Sequence, residues 1–257
     1  MIDLNSLRIG IVSYTNAYPL SWYLQDFLPG AQLILDVPSK LGRMLQQQEL
    51  DISILSSIEL LRHPEYGFIP NLGICSDGEV KSVCLFAKKD VTQVKTVALD
   101  QSSLTSVTVI RILLKEYWGV EPDYFSFQPP LYTGLQQADA ALTIGDNSFV
   151  EPPPDLHRFD VGAIWKKWTQ LPFVYAVWIT RQGINPLEIQ KPFLQALEKG
   201  MNNVEKISEI CNRQKGLSKQ FFMDYFTRNI YYHLGKRELE GMKRFFEYAG
   251  TYIKAER

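Results

Sequence analysis

Arg8-Ile9-Gly10-Ile11-Val12-Ser13-Tyr14 reads as a strand buried on both faces, because a near-continuous apolar run leaves no side to water. The run ends in small hydroxyl and polar residues. Asn16 to Phe27 then reads as a loop and helix, and Leu33 to Val37 as a second strand. Pro38-Ser39 opens a helix through about Gln47, with Ser39 as the expected N-cap and Leu41, Met44 and Leu45 as its apolar stripe. Asp51 to Leu55 is a third strand, and Ser56-Ser57 is expected to cap another helix. Cys75 and the segment Val80 to Ala87 supply further strands.

After the polar stretch Lys88-Lys89-Asp90-Val91-Thr92-Gln93 the pattern restarts. Thr96 to Leu99 reads as a strand, Ser102 to Leu114 as a capped apolar helix, Tyr124 to Phe127 as a strand and Leu131 to Gln137 as a short helix. Ala138 to Ile144 is a strand ending at Gly145-Asp146. Glu151 to Asp155 is a turn-forming loop, and Phe173 to Ile179 another strand. From Pro186 onward no strand is expected. Leu187 to Lys206, Ser218 to Arg228 and Arg237 to Tyr252 read as helices. Alternating strands and helices imply an α/β fold with mostly parallel sheets. The restart implies two domains, residues 91–180 forming the second and residues 1–90 plus 181–257 the first.

The 257 residues suffice for one large or two modest cores. Hydrophobic residues make up 46% and charged residues 21%, with a formal net charge of -1. Neither a basic excess nor a basic stripe marks a nucleic-acid binder. The apolar runs are broken well before the length of a membrane span. The N-terminus lacks a signal peptide, and Cys75, Cys84 and Cys211 form no CxxC motif. Three unpatterned cysteines without a leader imply a cytoplasmic setting and buried thiols.

Four loops share one layout, in which a strand end leads through small hydroxyl residues into a helix start. They are Ser13-Tyr14-Thr15-Asn16, Ser56-Ser57, Ser102 to Ser106, and Thr143 to Asn147. Ligands of open α/β sheets bind beyond the carboxyl ends of the strands. Helix N-termini offer unpaired N–H groups and a positive dipole end, and hydroxyls add uncharged donors. The set suits carboxylates or phosphates, although Ser and Thr are also ordinary N-caps. His63, His157 and His233 stand far apart in no metal-binding frame, so no metal is expected. His63-Pro64 reads as a helix end, and His233 as part of a helical, tyrosine-rich stretch. No GxSxG elbow or Cys–His spacing supports a covalent nucleophile. Trp165, Trp168, Phe173, Tyr175 and Trp178 form either core or an apolar wall for a ring-shaped ligand.

Several stretches together resemble one family. Val12-Ser13-Tyr14-Thr15-Asn16-Ala17-Tyr18-Pro19-Leu20 is similar to the SYxNxxPL signature of the chorismate dehydratases of the futalosine route to menaquinone. In order, the same family is matched by Leu50-Asp51-Ile52 through Ser57-Ile58-Glu59; by Ser76-Asp77-Gly78 with Lys81-Ser82-Val83; by Ala98-Leu99-Asp100 through Ser103 and Thr105-Ser106-Val107; by Ala138 to Leu142 with Gly145-Asp146; and by Leu171 to Trp178. Thr15 departs from the pattern, standing where an apolar residue is expected, and Leu104 is an unexpected apolar residue inside a serine-rich helix start.

The resemblance implies a type II periplasmic-binding-protein-like fold, with a ligand cleft between two domains and a helical C-terminal tail packing back on the first. It implies a lyase that dehydrates chorismate to 3-[(1-carboxyvinyl)oxy]benzoate, driven by aromatisation and needing no cofactor. On that reading Thr105 and Ser106 hold one carboxylate, Ser56, Ser57 and Ser82 are the candidates for the other, and Ser13 and Ser103 are further substrate-binding residues. Asn16 orients the departing hydroxyl or the ether. The base is Asp146, which could equally be a helix cap, or it is the substrate's own side-chain carboxylate. The alternatives are a non-catalytic binder of small anions with the same fold, or the related 1,4-dihydroxy-6-naphthoate synthase. The latter is expected to open with a histidine-containing loop, and no histidine precedes His63. The sequence carries no signature of an oligomeric state.

Overall fold

The structure, a computed structural model, describes residues 4–255. Its strands are β1 (Arg8–Val12), β2 (Gln32–Asp36), β3 (Ile52–Ser56), β4 (Gly67–Ser76), β5 (Val83–Ala87), β6 (Thr96–Asp100), β7 (Asp123–Phe127), β8 (Ala140–Ile144), β9 (His157–Asp160), β10 (Phe173–Thr180) and β11 (Tyr231–Leu234). Its α-helices are α1 (Tyr18–Ser21), α2 (Pro38–Gln46), α3 (Glu59–Arg62), α4 (Leu104–Ile112), α5 (Leu131–Gln137), α6 (Val161–Thr169), α7 (Pro186–Asn202), α8 (Val204–Lys215), α9 (Lys219–Asp224) and α10 (Lys236–Ala255). No helix among the described residues is long and apolar enough to cross a membrane.

The chain divides into two compact units. The first runs to Cys75 and resumes over Val174–Lys236; the second covers Ser76–Phe173 and continues from Arg237. The polar stretch at 88–93 lies inside the second unit, between β5 and β6. The helices after Pro186 are shared out: α7, α8 and α9 belong to the first unit and nearly all of α10 to the second. Aromatic packing is the reason, since Phe245 of α10 meets Trp165 and Phe173 edge-on, with ring centres 6.3 and 5.1 Å away.

The first unit holds a six-stranded sheet of order β11-β4-β10-β3-β1-β2, and the second a five-stranded sheet of order β7-β6-β8-β5-β9. β1 runs parallel to β2 and β3, and β6 parallel to β7 and β8. The expectation of mostly parallel sheets is corrected by the rest: β10 is antiparallel to β3, β11 to β4, and β5 to both β8 and β9. Every residue of β3, β5 and β8 is buried, as expected of central strands whose residues are apolar but for Ser53, Ser56 and Thr143.

Local chemistry corrects three further expectations. Helix α2 starts two residues earlier than a cap at Ser39 would place it, with Val37 as its cap residue and Pro38 in the first turn; the fixed φ of proline suits that position, so Ser39 lies within the helix. The residue before α3 is Ile58, and the Ser57 hydroxyl bonds elsewhere. The tyrosine-rich stretch around His233 is strand β11. There Tyr232 and Leu234 are buried and His233 exposed, a period of two too short to stand out in the sequence. Beneath the parallel strands, at the end of the first sheet away from Ser13 and Ser56, Asp51 accepts bonds from the Arg8 N–H, Nε and Nη2 at 2.9, 3.0 and 2.9 Å and from Arg181 Nε at 3.0 Å. Burial pushes the Asp51 carboxyl up, but Arg8 and Arg181 outweigh it and hold the group below its ordinary value.

Candidate active site

Each unit gathers its share of the hydroxyl residues at one end of its sheet. In the first, β1 and β3 are parallel, with Gly10 beside Ser53. Three positions further on, Ser13 and Ser56 therefore emerge next to each other at the carboxyl ends of the two strands. Ser13 is exposed and its N–H donates to the Asp36 carbonyl at 3.2 Å. Ser56 is buried. Ser57 is fully buried, and its hydroxyl donates to the Val174 carbonyl at 2.8 Å while its N–H donates to the Tyr175 carbonyl at 3.0 Å. The one hydroxyl proton of Ser57 thus stitches β3 to β10.

Past Ser13 the chain turns through a short 3-10 helix, Thr15–Ala17, into α1. Thr15 is completely buried, so it fills the place of the apolar residue that the family pattern leads one to expect. Asn16 is half-buried; its backbone carbonyl accepts the Tyr232 hydroxyl at 3.0 Å, and its side-chain Oδ1 is buried with no hydrogen-bond partner. Three C-terminal elements grip this turn. Besides Tyr232 of β11, Gln214 of α8 accepts the Tyr18 hydroxyl at 3.2 Å, and Gly200 of α7 lies against the Pro19 carbonyl.

In the second unit Ser82, Ser103, Thr105, Ser106 and Asp146 come together at one end of the five-stranded sheet. β6 and β8 are parallel neighbours, and β5 enters between β8 and β9 from the opposite direction. The start of β5 therefore lies beside the ends of β6 and β8, and the Gly145 N–H donates to the Ser82 carbonyl at 2.8 Å. Ser103 is the N-cap of α4, accepting from the Ser106 N–H at 3.4 Å and from the Ser106 hydroxyl at 3.1 Å. Thr105 and Ser106 are buried in the first turn, where backbone N–H groups have no acceptor within the helix and the dipole favours an anion. Asp146 sits inside the 3-10 turn Gly145–Ser148. The reading of it as the cap of a following α-helix is thus corrected, because the turn leads into the loop before β9. Thr143 and Ser148 close that turn with their hydroxyls 3.0 Å apart.

Sequence reasoning passed over one carboxylate here. Asp100 ends β6 and is 3% exposed. Its Oδ1 accepts the Ser102 N–H at 3.0 Å and the Ser102 hydroxyl at 2.5 Å, while Oδ2 is buried with no partner. Burial pushes its carboxyl above the ordinary value despite the two Ser102 donors. The signal in the sequence was Asp-x-Ser at a strand end, the pattern of a turn closed by an aspartate side chain.

Of the aromatic segment, Trp165, Phe173, Tyr175 and Trp178 resolve as core, and Trp168 is half-buried. Trp165, Phe173 and Trp178 are at most 1% exposed, and Trp178 packs edge-on against Phe193. The three thiols are free and buried, and burial pushes Cys84 up to about 12, which leaves it inert. No three His, Cys, Asp or Glu side chains among the described residues come together as a metal ion would need.

A family model described as menaquinone biosynthesis matches residues 7–251. The chorismate dehydratase of Thermus thermophilus is 31% identical, covering 94% of this chain and 94% of that protein. The chorismate dehydratase of Campylobacter jejuni is 26% identical, covering 92% and 94%. In three dimensions the periplasmic aliphatic sulphonate binding protein SsuA of Escherichia coli superposes with a TM-score of 0.68 at 13% identity, covering 97% of this chain and 87% of that one. That likeness is one of fold, and it bears out the binding-protein-like architecture read from the sequence.

Proposed function

Since the chain belongs to the menaquinone-biosynthesis family and is an enzyme of that kind, we propose that its reaction is the dehydration of chorismate to 3-[(1-carboxyvinyl)oxy]benzoate, the first step of the futalosine route. The observation that carries this reading is the 31% identity to a chorismate dehydratase over 94% of this chain, beside a family match over residues 7–251, a span that holds both strand-end hydroxyl clusters. The three buried thiols, none joined in a disulfide, favour a cytoplasmic setting.

The chemistry asks for uncharged donors rather than a redox centre. A base takes the ring proton from the ether-bearing carbon, the electron pair moves into the diene toward the ring carboxylate, and the neighbouring hydroxyl leaves as water once protonated. The ring becomes aromatic. Thr105 and the first-turn N–H groups of α4 are suited to hold a carboxylate on which charge accumulates, joined by Ser106 when its hydroxyl turns from Ser103. Preorganised donors at such a place contribute several kcal/mol, on the order of 3 for one group. Ser13 and Ser56, side by side at the ends of β1 and β3, are suited to the other carboxylate. Ser57 contributes through the position of β3, because its proton is committed to Val174. Asn16 carries an amide able to donate and accept at once, and it orients the hydroxyl or the ether. The proton goes to Asp146 or to the substrate's own side-chain carboxylate.

The test is incubation of the protein with chorismate alone, followed by chromatography and mass measurement. The expected product is lighter by one water and absorbs as a benzoate. Unchanged chorismate refutes the proposal, and binding without turnover favours the non-catalytic anion binder. For the base, Asp146→Asn is decisive: a loss beyond about 1000-fold in kcat with unchanged affinity rules out the substrate carboxylate.

A further inference from the structure

No hydrogen bond to its oxygen orients the side chain of Asn16, so its direction depends on the backbone that carries it. Its Oδ1 is buried and unpartnered among the described residues, so no side-chain contact to that oxygen fixes the rotamer. The backbone in turn has a gap that the sequence dictates. In a 3-10 turn the carbonyl of residue i accepts from the N–H of residue i+3. For Asn16 that residue is Pro19, which has no N–H. The neighbouring carbonyls of Tyr14 and Thr15 do receive such bonds, from the N–H groups of Ala17 and Tyr18. A buried carbonyl without a donor is costly, and the donor comes from the far end of the chain. The Tyr232 hydroxyl, 216 positions away, bonds the Asn16 carbonyl at 3.0 Å.

We propose that Tyr232 is a positioning residue for Asn16: its hydroxyl sets the orientation of the Asn16 peptide, and through it the direction in which the amide meets the substrate. Tyr232 is 3% exposed on β11, so its ring is held by packing and the hydroxyl has little freedom. Burial, together with the nearby Tyr225 and Cys211, raises its ionisation well above the ordinary value. The group therefore stays a neutral donor across the whole range in which the enzyme would be assayed. Strand β11 has a purpose beyond closing the sheet edge, which is to deliver one proton donor to one carbonyl.

This inference rests on the proposed dehydration and is tested with the full-length protein turning over chorismate. Tyr232→Phe keeps the ring and removes only the donor. The expected result is a fall in kcat of about 10–100-fold, since a displacement approaching 1 Å at a reacting group costs about that much. KM should stay within about twofold, because Asn16 would act on the leaving group more in the transition state than in the ground state. The melting temperature is measured alongside, and turnover is assayed well below the melting point of the variant. A kcat within twofold of the parent protein overturns the inference. So does a loss carried mainly by KM, or one that vanishes at the lower temperature. If the parent protein itself leaves chorismate unchanged, the proposed function fails, and this inference falls with it.

Discussion

Replacing Gly200 by alanine tests how tightly the C-terminal helices hold the Asn16 turn. Gly200 is buried in α7, and a Cβ built there falls 2.9 Å from the carbonyl carbon of Pro19 and 3.1 Å from its Cα, with the carbonyl oxygen nearer still. Carbon atoms in contact sit about 3.5–4.0 Å apart and the oxygen is closer than either carbon, so the helix and the turn must separate by about 1 Å or more. Neither side yields easily, because the obstructing atoms are backbone and the proline ring fixes its own φ. Overpacking of this kind costs about 1–3 kcal/mol, and the better helix propensity of alanine returns about 1 kcal/mol. The net loss of stability is therefore about 0–2 kcal/mol, or at most a few degrees in melting temperature for a chain this long. The loss of activity should be larger, because Pro19 lies three residues from Asn16 and a shift of about 1 Å at a reacting group costs about 100-fold. Gly241→Ala is the control. Its Cβ would fall 3.1 Å from the carbonyl carbon of Pro172 in the second unit, a comparable clash on elements that do not carry Asn16. The assays are chorismate turnover and thermal melting. The expected pattern is a similar melting loss in both variants, with a fall in kcat of about 10–100-fold in Gly200→Ala alone. Unaltered turnover in Gly200→Ala, or equal losses in both, refutes the reasoning.

Other outcomes follow from the same geometry. Asp51→Asn should cost about 2–3 kcal/mol in urea unfolding at neutral pH, since it strips the charge from a buried partner of two arginines. The folded carboxyl lies below its ordinary value, so its contribution is present above the unfolded pKa and disappears as the pH falls through the folded one; the difference between the proteins should vanish in acid. Asp100 behaves in the opposite sense: its folded pKa is raised, so its favourable contribution exists at low pH and is lost as the pH rises through the folded value. The melting temperature of Asp100→Asn relative to the parent should therefore climb as the pH rises above the ordinary carboxylate range, about 4, and a flat difference would refute the assignment. Thr105→Val combined with Ser106→Ala should raise KM for chorismate about tenfold or more, at about 1 kcal/mol for each donor removed from a charged ligand, read from steady-state kinetics.

Much of this protein was determined by its sequence alone. The buried strands at Arg8–Val12, Ile52–Ser56 and Ala140–Ile144 are predominantly apolar runs of the right length, and short-range patterning of that kind needs no partner to be read. The hydroxyl clusters were legible for the same reason, because a strand end followed by Ser, Thr or Asn is a local signal. The family stretches fall on these same places. Tertiary structure alone decided what the hydroxyls do. Ser57 and Ser13 look alike in the sequence, yet one proton goes to a carbonyl brought from residue 174 while the other residue stays exposed. It decided the antiparallel entries of β5 and β10, which depend on where the chain passes between units, and it decided strand β11, whose four residues become a strand only by pairing with β4. The contact of Tyr232 with Asn16 and the pressure of Gly200 on Pro19 join positions about two hundred residues apart. No periodicity connects such positions, because the distance between them is set by packing and not by the chain.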